Sequence, residues 1–199
     1  MRKILTAFLA ALICSAPAIA KPMKWGLDKT HCKAIFVSMH DGSLCPVTGW
    51  FDSIRGSVEY DGKDLSKAKV SAYIEANSLD SGNSVRDMHL KSEHFFAVQK
   101  YPDISFESKS ITPVSPGKFK MTGDLTIRGI KKTVVLDCLG PTGPIMDNDH
   151  KQTRIGVTAK TKINKKDFGM TWNHEVARGV NMVSEQAEIS LEIEAIQVP

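Results

Sequence analysis

The chain lacks most of the motifs that mark a catalytic or nucleotide-binding site. It has no Gly-x-Ser-x-Gly elbow, no His-Glu-x-x-His pair, no Walker or dinucleotide glycine loop and no Cys-x-x-Cys. These absences remove the sequence grounds for a hydrolase, a zinc protease, a nucleotide-binding protein or a thioredoxin-like protein. No block of Lys and Arg is interleaved with aromatic residues either, so we expect no nucleic-acid partner.

Long hydrophobic runs are also missing, apart from one at the beginning of the chain. Arg2 and Lys3 precede an apolar run over residues 4–13, and Ala18-Ile19-Ala20 has the spacing of a cleavage site. We therefore predict a signal peptide over residues 1–20, a single mature domain over residues 21–199 and a periplasmic location. An uncleaved anchor and lipidation at Cys14 are the weaker alternatives.

Cysteine is scarce and, after cleavage, odd in number. Cys32, Cys45 and Cys138 would remain, which leaves at least one thiol outside any intramolecular disulfide. A bond between Cys32 and Cys45 stays open at this stage, because side-chain geometry decides it. Cys138 falls within a strand pattern and is predicted to be a small core residue.

Strict alternation of apolar and polar residues is what the chain has in abundance. It runs through residues 68–76, 118–127, 155–163 and 186–195, with Val70, Ile74, Met121, Leu125, Ile189 and Leu191 on the apolar faces. Successive side chains of a strand point to opposite faces, so these stretches predict antiparallel strands with one buried and one solvent-exposed face. Residues 31–39 form a strand that is apolar on both faces, and residues 140–150 are predicted to be a loop.

The segment Leu79–Phe106 departs from this alternation. Asn83 or Ser84 can cap a helix that carries Met88 and Leu90, and Ser92 separates this helix from Phe95 and Phe96. Pro102 ends the segment, and a new strand follows. We predict an all-β, antiparallel eight-stranded barrel with this short helical segment between two strands, because closure removes exposed strand edges.

Charged and histidine pairs give only weak indications of chemistry. His89 and His94 lack a third metal donor, and the Asp147/Asp149 loop lacks a calcium-binding pattern. Arg86 beside Asp87 predicts either a salt bridge at the helix start or, together with His89, contacts to a polar ligand head. The pair Lys165-Lys166 is expected to be a solvated turn. We predict no catalytic residue, metal or cofactor.

The chain resembles the YceI-like family along nearly its whole predicted mature length. The resemblance rests on ordered short motifs: Trp25-x-Leu27-Asp28-x-x-His31, Ile35-Phe36-Val37-x-x-His40, Val47-x-Gly49-x-Phe51, Ala76-x-Ser78-Leu79-Asp80, Arg86-Asp87-x-His89-Leu90-Lys91-Ser92, Phe95-Phe96, Tyr101-Pro102, Ile104-x-Phe106, Gly123-x-Leu125-Thr126-Ile127-Arg128-Gly129 and Asp167-Phe168-Gly169. Cys32 and the connection over residues 41–46 depart from the family pattern. The resemblance implies a lipocalin-like barrel that is exported, is often dimeric and holds an isoprenoid or another long-chain lipid.

The expected ligand-binding residues are apolar side chains directed into the barrel and toward its plug. They are Phe36, Val70, Ile74, Phe95, Phe96, Phe106, Met121, Leu125, Ile189 and Leu191, with Arg86 and His89 as head-group contacts. Two other functions stay open. One is a thiol-dependent redox accessory that uses Cys45 or Cys138, and the other is a stress-associated interaction protein whose barrel is filled. A protein that delivers or receives the lipid is also implied, but its identity is unknown.

Overall fold

A computed structural model describes residues 23–198 of the chain. The predicted signal peptide and Cys14 lie outside these residues. Within them the strands are β1 (Met23–Leu27), β2 (Lys33–His40), β3 (Cys45–Phe51), β4 (Ile54–Tyr60), β5 (Lys69–Glu75), β6 (Leu79–Asp80), β7 (Asp103–Ser115), β8 (Lys118–Ile127), β9 (Ile130–Asp147), β10 (Gln152–Asn164), β11 (Glu175–Ala177), β12 (Val180–Asn181) and β13 (Val183–Val198). One α-helix, α1 (Ser84–Lys91), is present in the same range.

The strands close into an antiparallel barrel whose wall has eight strand positions. Three positions are each built from two consecutive strands, namely β1 with β2, β3 with β4 and β5 with β6. The other five positions are β7, β8, β9, β10 and β13. The long β13 closes the wall, because its first part pairs with β2 and its end pairs with β1. The predicted fold class is confirmed.

The alternation of the sequence explains which face of each strand turns inward. Along β8, Phe119, Met121 and Ile127 are buried. The lysines on either side of Phe119, Lys118 and Lys120, are exposed. The same period of two places Ile155 and Ala159 of β10 inside. Burying one apolar face of each strand is what drives the sheet to curl around a common interior.

The helix forms where the sequence predicts it. The side chain of Asn83 caps α1 by accepting a hydrogen bond from the backbone N–H of Arg86 at 3.0 Å. Ser92 ends the helix with its hydroxyl on the carbonyl of His89 at 2.7 Å. Such local caps satisfy backbone groups that a short helix leaves unpaired. Within residues 23–198 no helix is both long enough and apolar enough to cross a bilayer.

The prediction of a loop over residues 140–150 is wrong for most of that stretch. Strand β9 continues to Asp147 and stays paired with β10 through two irregularities in register. Gly140 and Gly143 adopt positive φ angles of 125° and 98°, which L side chains rarely adopt. These glycines let the strand bend without leaving the sheet, as at a β-bulge.

Candidate functional site

The barrel encloses an apolar cavity of about 250 Å³. Its lining comes from inward side chains of the wall strands and from the segment between β6 and β7. All ten residues expected to bind a ligand lie in this lining: Phe36, Val70, Ile74, Phe95, Phe96, Phe106, Met121, Leu125, Ile189 and Leu191. The structure therefore brings the ten together around one space, and their contact with a ligand stays a prediction.

Most of these side chains are not fully packed by protein atoms. Eight of the ten are only half-buried, and the exceptions are Phe95 and Met121. Their free surface faces the cavity, since they lie on the inner side of a closed wall. A core filled by its own side chains would bury such residues almost completely, so this interior keeps room for another molecule.

Two glycines keep the cavity open by letting aromatic rings lie flat against the wall. A Cβ added to Gly49 would lie 2.3 Å from the ring of Phe36, and one added to Gly123 would lie 2.3 Å from the ring of Phe106. No real Cβ tolerates such a distance. At Gly49 the three nearest atoms all belong to the Phe36 ring, whereas at Gly123 the added Cβ would also lie 2.6 Å from the carbonyl oxygen of Glu107.

Residues 81–102 cover one end of the barrel, and we call them the plug. Phe96 packs edge-on against Phe51 with ring centroids 5.3 Å apart. Phe95 is 4% exposed and contacts His89 and Trp172 at centroid distances of 5.1 and 5.5 Å. The adjacent phenylalanines thus seal this end, because one ring faces the wall and the other faces the aromatic cluster.

Polar contacts hold the first part of the plug together and tie its middle to the barrel. Arg86 donates from Nε to the Ser81 hydroxyl at 2.8 Å and from Nη2 to the Ser81 carbonyl at 2.6 Å, while Asp87 accepts from the Ser81 backbone N–H at 2.9 Å. On the opposite side, Arg128 in the β8–β9 turn donates to the carbonyls of Phe95 at 2.7 Å and Glu93 at 3.2 Å. Arg86 and Asp87 therefore meet on Ser81 and form no salt bridge with each other.

Shortening Arg128 to glutamine is expected to loosen the plug without unfolding the barrel. The two carbonyls lose a charged donor, and such hydrogen bonds contribute about 1.5–3 kcal/mol each. Amide hydrogen exchange at Phe96, Ala97 and Val98, whose N–H groups bond within the plug, should accelerate by about tenfold or more. Lys132→Gln, a change at an exposed position of β9, is the control. Equal protection of these amides in both variants would contradict the role given to Arg128.

The expected head-group contacts do not lie in the cavity lining. Arg86 is turned toward Ser81, and His89 lies among aromatic rings with its Nε2 3.1 Å from Nδ1 of His94. Burial lowers the pKa of His89, and the neighbouring His94 lowers it further. A neutral imidazole in an aromatic cluster explains this histidine, and the prediction that Arg86 or His89 touches a ligand head finds no support in the geometry.

Lys165 is the residue that the sequence reasoning missed. It is 6% exposed and lies in the cavity lining, so the prediction of a solvated turn is wrong for this lysine. Its ammonium group donates to the carbonyls of Met170 at 3.0 Å and Trp172 at 2.7 Å. Burial lowers the pKa of Lys165, and the nearby Lys166 adds to this effect.

A second depression of about 400 Å³ lies at the end of the barrel away from the plug. It includes Lys63, Asp64 and Lys118 as well as apolar residues, so it is more polar than the cavity. The two spaces share the lining residues Tyr60, Leu65, Phe119, Pro141 and Ile155. The cavity is thus covered by the plug at one end and borders a surface depression at the other.

The three described cysteines are free thiols. Cys32 precedes β2, whereas Cys45 pairs with His40 at the other end of that strand. Eight residues of extended chain span about 26 Å, far beyond the reach of a disulfide, so the Cys32–Cys45 bond is excluded. Burial raises the pKa of Cys32 and raises that of Cys138 to about 11, which makes both thiols poor nucleophiles.

One cluster of acidic and histidine side chains has the spacing of a metal site. Asp28, His31 and Glu194 bring their ligand atoms within 4.8 Å of one another. The guanidinium group of Arg154 already lies between the two acids, with Nη1 2.9 Å from Asp28 and bonded to Glu194. This cation satisfies the charges that would attract a metal ion, so the cluster is best described as an ion pair that ties β1 to β10 and β13.

An eight-stranded antiparallel barrel with an apolar interior and a helical plug defines a lipocalin-like class of β-barrel proteins. The family model of the YceI-like domain matches residues 25–195. Protein YceI of Salmonella arizonae is 30% identical over 200 residues, which cover 99% of each chain. The chain belongs to the YceI-like family.

Solved structures agree with this assignment. The YCEI protein of Campylobacter jejuni aligns with a TM-score of 0.68 and 29% identity over 78% of this chain and 88% of that one. A polyisoprenoid binding domain from Saccharophagus degradans aligns with a TM-score of 0.63 and 16% identity over 88% and 99%. At that low identity the second structure supports the fold alone.

Proposed function

We propose that this protein is an exported carrier or sequestering protein that holds a long-chain apolar amphiphile in its barrel. A polyisoprenoid, a polyprenyl quinone and a fatty amide are the ligand classes with the required shape. Export is proposed on the predicted signal peptide over residues 1–20, which supports a periplasmic location.

The observation that carries this proposal is the open apolar interior. The cavity runs from Phe96 in the plug to Tyr60 and Phe119 at the other end, and its lining is almost wholly apolar. Removing a hydrocarbon tail from water contributes about 0.8 kcal/mol for each buried CH₂ group. A long tail therefore supplies enough free energy for binding with few polar contacts.

Family membership and the structural neighbours favour binding over catalysis. The Saccharophagus degradans structure is that of a polyisoprenoid binding domain, and the present chain has the same fold with an apolar interior. In addition, the lining formed by residues 23–198 includes no carboxylate and no histidine, and the thiol of Cys138 in this lining has a raised pKa.

Affinity is expected to rise with the length of the hydrocarbon tail until the barrel is filled. For a series of straight-chain amphiphiles with one head group, each added CH₂ should lower Kd by about fourfold, because 0.8 kcal/mol corresponds to that ratio. Displacement of a fluorescent fatty probe from lipid-stripped protein measures the series. The length at which the gain stops reports how much tail the cavity accepts.

The lipid bound to protein purified from its native host provides a second test of the carrier function. Organic solvent should release a single class of long-chain amphiphile from the purified protein, and mass spectrometry identifies that class. A chain-length series with no trend, together with an extract that contains no lipid, would rule out the carrier function.

The two other functions that the sequence leaves open fit the structure less well. Of the two thiols that a redox accessory was expected to use, Cys138 is buried with a raised pKa, whereas Cys45 is exposed, so the structure argues against Cys138 alone. An interaction protein with a filled barrel is at odds with the half-buried lining and the cavity. A homodimer and a protein that supplies or receives the lipid remain expectations from the family resemblance.

A further inference from the structure

Among residues 23–198, Lys165 is the only charged side chain in the lining of the cavity. It follows β10 directly, and a short 3-10 turn over Lys165–Phe168 holds it at the plug end of the barrel. Its neighbour Lys166 is half-exposed and pairs with Glu185 outside the cavity. One cation therefore faces an otherwise apolar space.

The ammonium group of Lys165 is only partly satisfied by the protein. Two of its three hydrogens go to the carbonyls of Met170 and Trp172, and the face of the Phe95 ring lies 5.8 Å from Nζ. No described carboxylate lies within ion-pair distance of it, whereas Lys166 has Glu185. A buried ammonium without a counter-charge is unfavourable, so this site is electrostatically incomplete.

An anionic oxygen is the group that completes it. Such an oxygen supplies both the missing negative charge and an acceptor for the third hydrogen, and hydrogen bonds between ions are the strongest of their kind. Ser38 and Ser184, whose hydroxyls are 3.2 Å apart, also lie in the lining at the β2–β13 side of this end. A carboxylate or a phosphate ester at the end of a hydrocarbon chain has the required chemistry.

We propose that Lys165 forms a head-group subsite that binds the oxyanion of a single-chain amphiphile beneath the plug. The tail then extends along Phe36, Phe106 and Met121 toward Tyr60 at the far end of the cavity. The inference rests on the proposed function, because it assigns the head group and the orientation of a ligand held in the same cavity.

Three ligands with one tail test the subsite: geranylgeranyl phosphate, geranylgeranoic acid and geranylgeraniol. Wild-type protein should bind the two anions at least tenfold more tightly than the alcohol, as expected for a buried charged hydrogen bond. In Lys165→Gln the ratio of alcohol Kd to anion Kd should fall below about threefold. Lys165→Arg, which keeps the charge, and Lys166→Gln, which removes the exposed neighbour, should both retain the wild-type ratio.

The ratio of alcohol Kd to anion Kd distinguishes a head-group subsite from a lysine with a purely structural role. If Lys165 only ties the loop at Met170 and Trp172, Lys165→Gln weakens all three ligands equally and the ratio stays unchanged, which overturns the inference. Wild-type protein that binds all three equally also overturns it while leaving the lipid-binding function intact, and this result does not depend on any variant folding. Wild-type protein that binds none of the three overturns both. A preference for only the phosphate or only the carboxylate identifies the source of the oxyanion and supports the subsite.

Discussion

Replacing Phe168 with alanine is expected to reduce the free energy of unfolding by about 3–5 kcal/mol, the range for removing a buried aromatic ring. Phe168 is 1% exposed and lies in the cluster that includes Phe51, Phe95 and Ile127. It therefore connects the loop after β10 to the plug and to the wall. Among the described residues, Trp25 and Phe168 are the largest side chains that are fully buried.

Urea unfolding followed by tryptophan fluorescence measures this loss. Leu44→Ala is the matched control, because Leu44 is 84% exposed in the β2–β3 turn and should change stability by less than about 0.5 kcal/mol. A loss below about 1 kcal/mol for Phe168→Ala would mean that the ring is not packed as described.

Adding one methyl group at Gly49 is expected to weaken tail binding by about 2 kcal/mol, or roughly thirtyfold in Kd. The three atoms nearest to a Cβ at this position all belong to the ring of Phe36, and the nearest is 2.3 Å away. Strand pairing is expected to stay intact, because the three atoms nearest to the added Cβ all belong to this ring. The ring must turn into the cavity, where it occupies the space of two or three CH₂ groups of a ligand tail.

A double variant distinguishes a blocked cavity from a damaged fold. Gly49→Ala combined with Phe36→Ala removes the displaced ring and should restore most of the affinity for a long-chain ligand. Gly26→Ala, whose added Cβ would lie an ordinary 3.5 Å from Val198, is the control for a methyl group added to a wall strand. The explanation is wrong if Gly49→Ala binds as the wild type does, or if the double variant binds no better than the single one.

The strands were predictable because their signal is local. Alternation over residues 118–127 and 155–163 reappears as β8 and β10. Asn83, one of the two candidate caps, begins α1, and Ser92 ends it where the helical segment was expected to be interrupted. The end of β9 was not predictable in this way. Gly140, Pro141, Gly143 and Pro144 normally mark a loop, and only pairing with β10, a contact distant in sequence, keeps residues 140–147 in the sheet.

The candidate site was likewise predictable where the signal is local and not where contacts distant in sequence decide. Its apolar lining follows from alternation, since an inward row of a closed barrel necessarily faces the interior. Lys165 was missed because adjacent lysines are usually solvated, although a usable signal existed: it continues the inward row of Ile155, Val157, Ala159, Thr161 and Ile163 by one more step of two. Arg86 and His89 lie outside the cavity lining, and the sequence does not show that Ser81 and Trp172 are their partners.

The contact between Arg128 and the plug has a kinetic consequence. A ligand held in the cavity gains its affinity from the length of tail removed from water, to which Arg128 contributes nothing. Release through the plug end, by contrast, requires the Arg128 bonds to Phe95 and Glu93 to break before the two phenylalanines can move. Affinity and residence time are thus controlled by different groups, so the lifetime of the complex can change while its equilibrium constant stays nearly the same.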